Sequence, residues 1–213
     1  MIKTVLFDVD GTLIDSFHRN LDFYRHIFAQ AGVDNSFLNE DLLRGGFHLP
    51  LQDCLRHLSP IKTDAEIARL VDVYHNLDWD PEDFILMPHV AEIIPELHKN
   101  YQLGIVTGRQ QMSVTEFLAS TNLEAYFDAV IHHGIYTHAK PHPEPILLGL
   151  EQLNAKPEET VYVGDTQVDI DASKAAGVKS ILCRYEPTGN HVVQNADASF
   201  DDYRKLPEIL VEL

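Results

Sequence analysis

Five short apolar runs, separated by stretches with helical spacing, constrain this chain more than any other feature of its sequence. They lie at residues 3–8, 103–106, 129–131, 161–163 and 180–183. Runs this short and this apolar read as strands buried on both faces, as in a parallel sheet whose crossovers are helices. The intervening segments supply those helices. Ser113 and Glu116 make a capping-box pattern ahead of Phe117 and Leu118. Ile146, Leu147, Leu150 and Leu153 form a stripe behind Pro143 and Pro145. Ile170 to Ala176 runs into Gly177, a residue suited to closing a helix. Pro95 interrupts the pattern of Val90, Ile94 and Leu97 and predicts a kink or a late helix start. The fold class is therefore α/β.

One block breaks the alternation. From Ser16 to Asp83 the patterns are helical only. Phe17, Leu21, Tyr24, Phe28 and Ala31 share a face, and Leu51, Leu55 and Leu58 make a second stripe. Thr63 with Glu66 opens a third, carrying Ile67, Leu70, Val71 and Tyr74. Nearly 70 residues is too long for a crossover, so the block reads as an inserted helical cap. Hinges are expected near Asp15–Ser16 and Asp80–Pro88, dividing the 213 residues into a core (1–15 and 84–213) and a cap (16–83).

Composition narrows the setting. A formal net charge of −17 argues against nucleic acid or an anionic membrane as partner. No apolar run approaches the ~20 residues of a membrane-spanning helix. The N-terminus runs straight into the first strand without a signal-type segment. Cys54 and Cys183, far apart, read as two reduced thiols, and a cytoplasmic location follows. Oligomeric state is not legible.

In an open parallel sheet, ligands bind beyond the carboxyl ends of the strands. The first strand delivers Asp8-Val9-Asp10-Gly11-Thr12 there, and the second Thr107-Gly108-Arg109. The loop after the third carries Lys140, and the fourth delivers Gly164-Asp165 with Asp169 four residues on. Carboxylates crowded in this way repel unless a cation joins them, and an all-oxygen set suits Mg²⁺, with Mn²⁺ still open. Asp8 is placed to attack a phosphoryl group. Asp10, two residues on in an extended chain, is placed to protonate the leaving group. Thr107 and the turn through Gly108 and Arg109 offer donors to phosphate oxygens, Lys140 adds positive charge, and Asp165 completes the metal site. Asp169 either joins the metal, caps the next helix or holds Lys140.

These segments resemble the four motifs of the haloacid dehalogenase superfamily, in order and across about residues 1–183. They read Asp8-Val9-Asp10-Gly11-Thr12-Leu13, Ile105-Val106-Thr107-Gly108-Arg109, Lys140-Pro141-His142-Pro143, and Val163-Gly164-Asp165-Thr166-Gln167-Val168-Asp169. Within the superfamily the chain is similar to the phosphoglycolate-phosphatase-like branch. The resemblance implies a Rossmann-like core, a type 1 helical cap and a magnesium-dependent phosphatase acting on a small phosphorylated metabolite. It makes Asp8 the nucleophile, and Asp10 the general acid and base that also lends the metal its backbone carbonyl. It places Asp8, Asp10, Asp165 and Asp169 at the metal, and Gly11, Thr12, Thr107, Gly108 and Arg109 at the substrate.

Dehalogenases of the family carry tyrosine at the position of Asp10, and phosphonate-cleaving members a small residue. Neither fits this chain. Mutases place a histidine soon after the first motif, whereas His18 lies early and reads as an exposed helix residue. A sugar-phosphate mutase like β-phosphoglucomutase and a pyrophosphatase stand as alternatives. A receiver-type signalling module fits poorly, because its acceptor aspartate follows the third strand. Specificity should lie in the cap segment Arg44-Gly45-Gly46-Phe47-His48, where Arg44 and His48 are the candidates for contacting the leaving group. The histidines at 132, 133, 138 and 142 flank a loop without an evident ligand pattern and are not read as a metal site.

Overall fold

Strand β1 (Thr4–Phe7) is buried at every residue. Its sequence Thr-Val-Leu-Phe has no polar face, because both sides of the strand are covered. In the computed structural model, which describes residues 1–46, 49, 51–77, 84–184 and 193–213, β1 sits mid-sheet. It pairs on one side with β2 (Gln102–Gln110) and on the other with β4 (Thr160–Gly164). Outside these lie β3 (Ala129–His133), β5 (Lys179–Cys183) and β6 (Ala198–Phe200). The order β3-β2-β1-β4-β5-β6, parallel throughout, is the doubly wound Rossmann-like arrangement. Strand order reverses about β1, so the crevice at a switch point opens beyond the carboxyl end of β1.

Successive side chains of a strand face opposite layers, and the two hydrophobic clusters of the core divide accordingly. Val5, Phe7, Ile105, Val161 and Val163 pack with α5 (Val90–His98), α6 (Gln111–Thr121) and α9 (Leu206–Glu212). Leu6, Val106 and Tyr162 pack on the other face with α7 (Glu144–Leu153) and α8 (Gln167–Ala176). Burial of each such large apolar side chain contributes about 1.5–3 kcal/mol.

A second compact unit begins at Ser16. It contains α1 (Ser16–Gln30), α2 (Glu40–Gly46), α3 (Leu51–Leu58) and α4 (Asp64–Asn76). Phe17, Leu21, Tyr24 and Phe28 of α1 share a core with Leu43, Leu55, Leu58, Ile67 and Leu70. Thr63 caps α4 through the Glu66 N–H, but Glu66 turns its carboxylate to Arg69, so only half of the capping box forms. The core unit holds residues 1–15 and the described residues from Phe84 onward. Its chain exit and return are paired: Asp15 N–H donates to Ile85 O (2.8 Å) and Met87 N–H to Leu13 O (2.9 Å). Between these two bonds Leu86 forms an isolated antiparallel bridge with Ile14.

Other local expectations need correction. α6 starts at Gln111, so Ser113 lies inside the helix and caps nothing. α5 starts at Val90 and runs through Pro95, so the late start is not realised. Leu147 is 44% exposed and leaves the buried stripe of Ile146, Leu150 and Leu153 to the other face of α7. β6 was not anticipated from the sequence.

Gly164 ends β4 where the chain must pass against the next helix. A Cβ on Gly164 would lie 2.5 Å from Cγ of Asp169. Gly164→Ala is expected to lower stability by about 1–3 kcal/mol through this overpacking, as measured by urea denaturation.

Candidate active site

Asp8 follows directly on β1, and its N–H extends the ladder by donating to Val163 O (2.9 Å). The chain then turns back: Leu13 and Ile14 N–H both reach Val9 O, and Gly11 N–H reaches Ile14 O. Gly11 adopts φ +70°, and a Cβ there would stand 2.1 Å from Oδ2 of Asp165. Glycine is required on both counts. The Tyr203 hydroxyl donates to Thr12 O (2.7 Å) and pins the turn from below.

Lys140 enters this rim from the loop after β3. Its ammonium lies 3.0 Å from Asp8 Oδ1, 2.7 Å from Asp169 Oδ1 and 2.8 Å from the Tyr162 hydroxyl, which itself donates to Val106 O. The other Asp169 oxygen accepts from Thr166 N–H (3.1 Å) and Thr166 Oγ1 (2.6 Å), completing a capping box at the start of α8. Asp169 therefore does both of its non-metal tasks, capping α8 and holding Lys140. Tyr162 was missed in the sequence, where it reads as one more strand residue.

Burial drives the electrostatics. Desolvation, reinforced by the Asp169 and Asp10 carboxylates and opposed by Lys140, raises Asp8 to about 7. Burial and the neighbouring Asp169 and Asp8 charges push Asp165 well above the usual carboxylate range. Burial acts to lower Lys140, but the Asp169 and Asp8 charges outweigh it and hold the ammonium well above its ordinary value. Asp8, Asp165 and Asp169 offer oxygens within 4.8 Å of one another, and one ammonium cannot balance three carboxylates. Oδ1 of Asp165 is buried without a hydrogen-bond partner among the described residues. A divalent, oxygen-seeking cation fits this donor set.

Asp10 lies farther out. Arg109 grips it with a two-point fork, Nε to Oδ2 at 2.8 Å and Nη2 to Oδ1 at 2.5 Å. The guanidinium also donates to Ser113 Oγ and lies over the Phe84 ring. Arg109 was expected at the substrate; here its side chain serves Asp10. A register shift in β2 between Val106 and Gln110 accompanies this arrangement. Thr107 is buried beside it, its Oγ1 accepting from Arg109 N–H, while Gly108 is exposed. The Thr12 hydroxyl is buried and has no hydrogen-bond partner among the described residues. In the helical unit, Arg44 pairs with Asp41 (2.6 Å) and lies over the Phe17 ring. His48 lies outside the described residues.

The haloacid dehalogenase-like hydrolase family matches residues 5–183. The chain belongs to that family. The pyrophosphatase PpaX of Oceanobacillus iheyensis is 34% identical over 180 residues, covering 84% of this chain and 82% of its own. PpaX of Bacillus thuringiensis is 34% identical over 218 residues, covering 100% of this chain and 98% of its own. Among solved structures, a HAD-superfamily hydrolase of subfamily IA, variant 1, from Geobacter sulfurreducens has a TM-score of 0.80 and 28% identity. The match covers 98% of this chain and 96% of that one. Membership of this hydrolase family, together with relatives named pyrophosphatase, supports reading the chain as a phosphatase.

Because the folded protein raises Asp8 from 3.8 to about 7, it binds that proton more tightly than the unfolded chain. Ionising Asp8 therefore costs stability, and the loss accrues as pH rises from 3.8 to about 7. In EDTA, Asp8→Asn should gain stability relative to the parent across this window and hold the gain above it. Urea denaturation at a series of pH values checks this; a difference that does not grow with pH would contradict it.

Proposed function

We propose that this phosphatase is magnesium-dependent and hydrolyses a small phosphate monoester through a phosphorylated Asp8. The observation that carries the reading is the surrounding of Asp8: a buried ammonium on one side and the orphaned Asp165 oxygen on the other. Asp8, Asp10 and Asp165 would hold the ion, with Asp169 within reach. When bound, the ion neutralises carboxylate and phosphate charge and keeps Asp8 ionised.

An Asp8 oxygen attacks phosphorus, the new O–P bond forms and the ester P–O bond breaks. Asp10 delivers its proton to the departing oxygen and then takes one from the water that attacks the acyl-phosphate, which frees Asp8 and inorganic phosphate. The Arg109 fork takes both Asp10 oxygens in this structure, so one of its two contacts must open for Asp10 to carry a proton, while Phe84 and Ser113 keep the guanidinium nearby. Lys140 faces the phosphoryl oxygens from the Asp8 side, with Asp169 and Tyr162 holding it. Thr12, Thr107 and the exposed backbone at Gly108 supply further donors to phosphate.

A second reading is that the substrate is inorganic pyrophosphate, favoured by relatives 34% identical that bear the name pyrophosphatase. Two buried free thiols agree with a cytoplasmic enzyme. No helix among the described residues is long and apolar enough to cross a membrane.

Hydrolysis of an aryl phosphate is expected to require added Mg²⁺, to stop with EDTA, and to vanish in Asp8→Asn while the fold survives. Asp10→Asn should lower kcat by about 10²–10⁴-fold. Comparing kcat/KM for pyrophosphate, phosphoglycolate and sugar phosphates separates the substrate readings. A bisphosphorylated sugar that yields isomer without phosphate release would mark a mutase instead. Full activity in Asp8→Asn would defeat the mechanism.

A further inference from the structure

The loop that presents Lys140 is closed by Glu144, the first residue of α7. One Glu144 oxygen accepts from Thr137 N–H (2.8 Å) and the other from His138 N–H (2.9 Å). These two bonds fix the carboxylate against the loop it spans. Two imidazoles converge on it from outside. His138 Nδ1 lies 2.7 Å from Glu144 Oε2, His142 Nδ1 accepts from Glu144 N–H (3.2 Å) and lies 3.9 Å from the same oxygen, and the two rings stand 4.6 Å apart at 33°. One ligand atom from each of the three residues falls within 4.8 Å of the others. Both histidines are exposed, so apolar burial is not what gathers them. The spacing His-x₃-His-x-Glu is local, and the carboxylate is already oriented by backbone donors.

We propose that His138, His142 and Glu144 form a second cation site, taking a borderline divalent transition ion such as Zn²⁺. Two imidazoles and one carboxylate suit such ions and do not suit Mg²⁺, which takes oxygen ligands. The two sites are thus chemically distinct: an all-carboxylate set at Asp8, Asp165 and Asp169, and this mixed set on the loop surface. On binding, the ion replaces the His138 Nδ1 contact to Glu144 Oε2 and the bond from Glu144 N–H to His142 Nδ1, while the Thr137 and His138 N–H bonds keep the Glu144 carboxylate in place. Lys140 lies between the two histidines in sequence, so the ion braces both flanks of the segment that carries the ammonium to Asp8 and Asp169.

The test is zinc titration by calorimetry on the full chain in excess Mg²⁺, with Co²⁺ absorption as a report on ligand type. The parent protein should bind zinc stoichiometrically. His138→Gln and His142→Gln should each weaken binding roughly tenfold or more, while leaving magnesium-supported aryl phosphatase activity unchanged as a check on folding. Asp165→Asn should bind zinc like the parent. No stoichiometric zinc binding by the parent, parent-like binding in both histidine variants, or loss of binding in Asp165→Asn would each overturn the proposal.

Discussion

The rest of the site depends on the Lys140 ammonium. Its three donors meet Asp8, Asp169 and Tyr162, and so tie together the tip of β1, the first turn of α8, the middle of β4 and the loop before α7. None of these contacts is local in sequence. Removing one partner of a buried ion pair typically costs 3–5 kcal/mol, because the other charge is left uncompensated. Here the loss would strand several buried carboxylates at once. The backbone has adapted to the cluster, since Gly11 and Gly164 leave room where a Cβ would strike Asp165 and Asp169.

A chain of net charge −17 that handles an anionic group needs its positive charge placed locally. Two side chains supply it, and each is committed to a rim carboxylate: Lys140 to Asp8 and Asp169, Arg109 to Asp10. Their environments differ. Lys140 is sealed in with carboxylates whose burial penalises ionisation, whereas Asp10 is more open and held by a fork. Asp165 has a buried oxygen that no hydrogen bond among the described residues satisfies, as a bound cation would.

Much of the fold was legible in the sequence because strands buried on both faces leave short apolar runs. The division of β1 into Val5 and Phe7 on one layer and Leu6 on the other follows from the two-residue period. β6 left no such run: Ala-Ser-Phe is a three-residue edge strand with an exposed serine. The strand-tip residues could be listed from sequence, but their partners could not. Ser113 was read as a cap from spacing alone, and in space its hydroxyl serves Arg109. The Thr107–Arg109 turn reads as a source of backbone donors to phosphate, but the contact of the Arg109 side chain with Asp10, beside the irregular end of β2, has no signal in the spacing. Tyr162 gave no polar signal in an apolar run. The approach of His138 and His142 to Glu144 required the loop to fold back on α7, which spacing does not reveal.

The central claim is that Asp8 itself carries the phosphoryl group. The direct measurement is to quench the enzyme during turnover of an aryl phosphate, reduce with borohydride and map the modified residue by peptide mass spectrometry. Reduction of an aspartyl-phosphate converts the residue to homoserine, and the account predicts that conversion at position 8 in the presence of Mg²⁺. Turnover without modification at position 8, or modification at Asp10 or Asp165 instead, would contradict it.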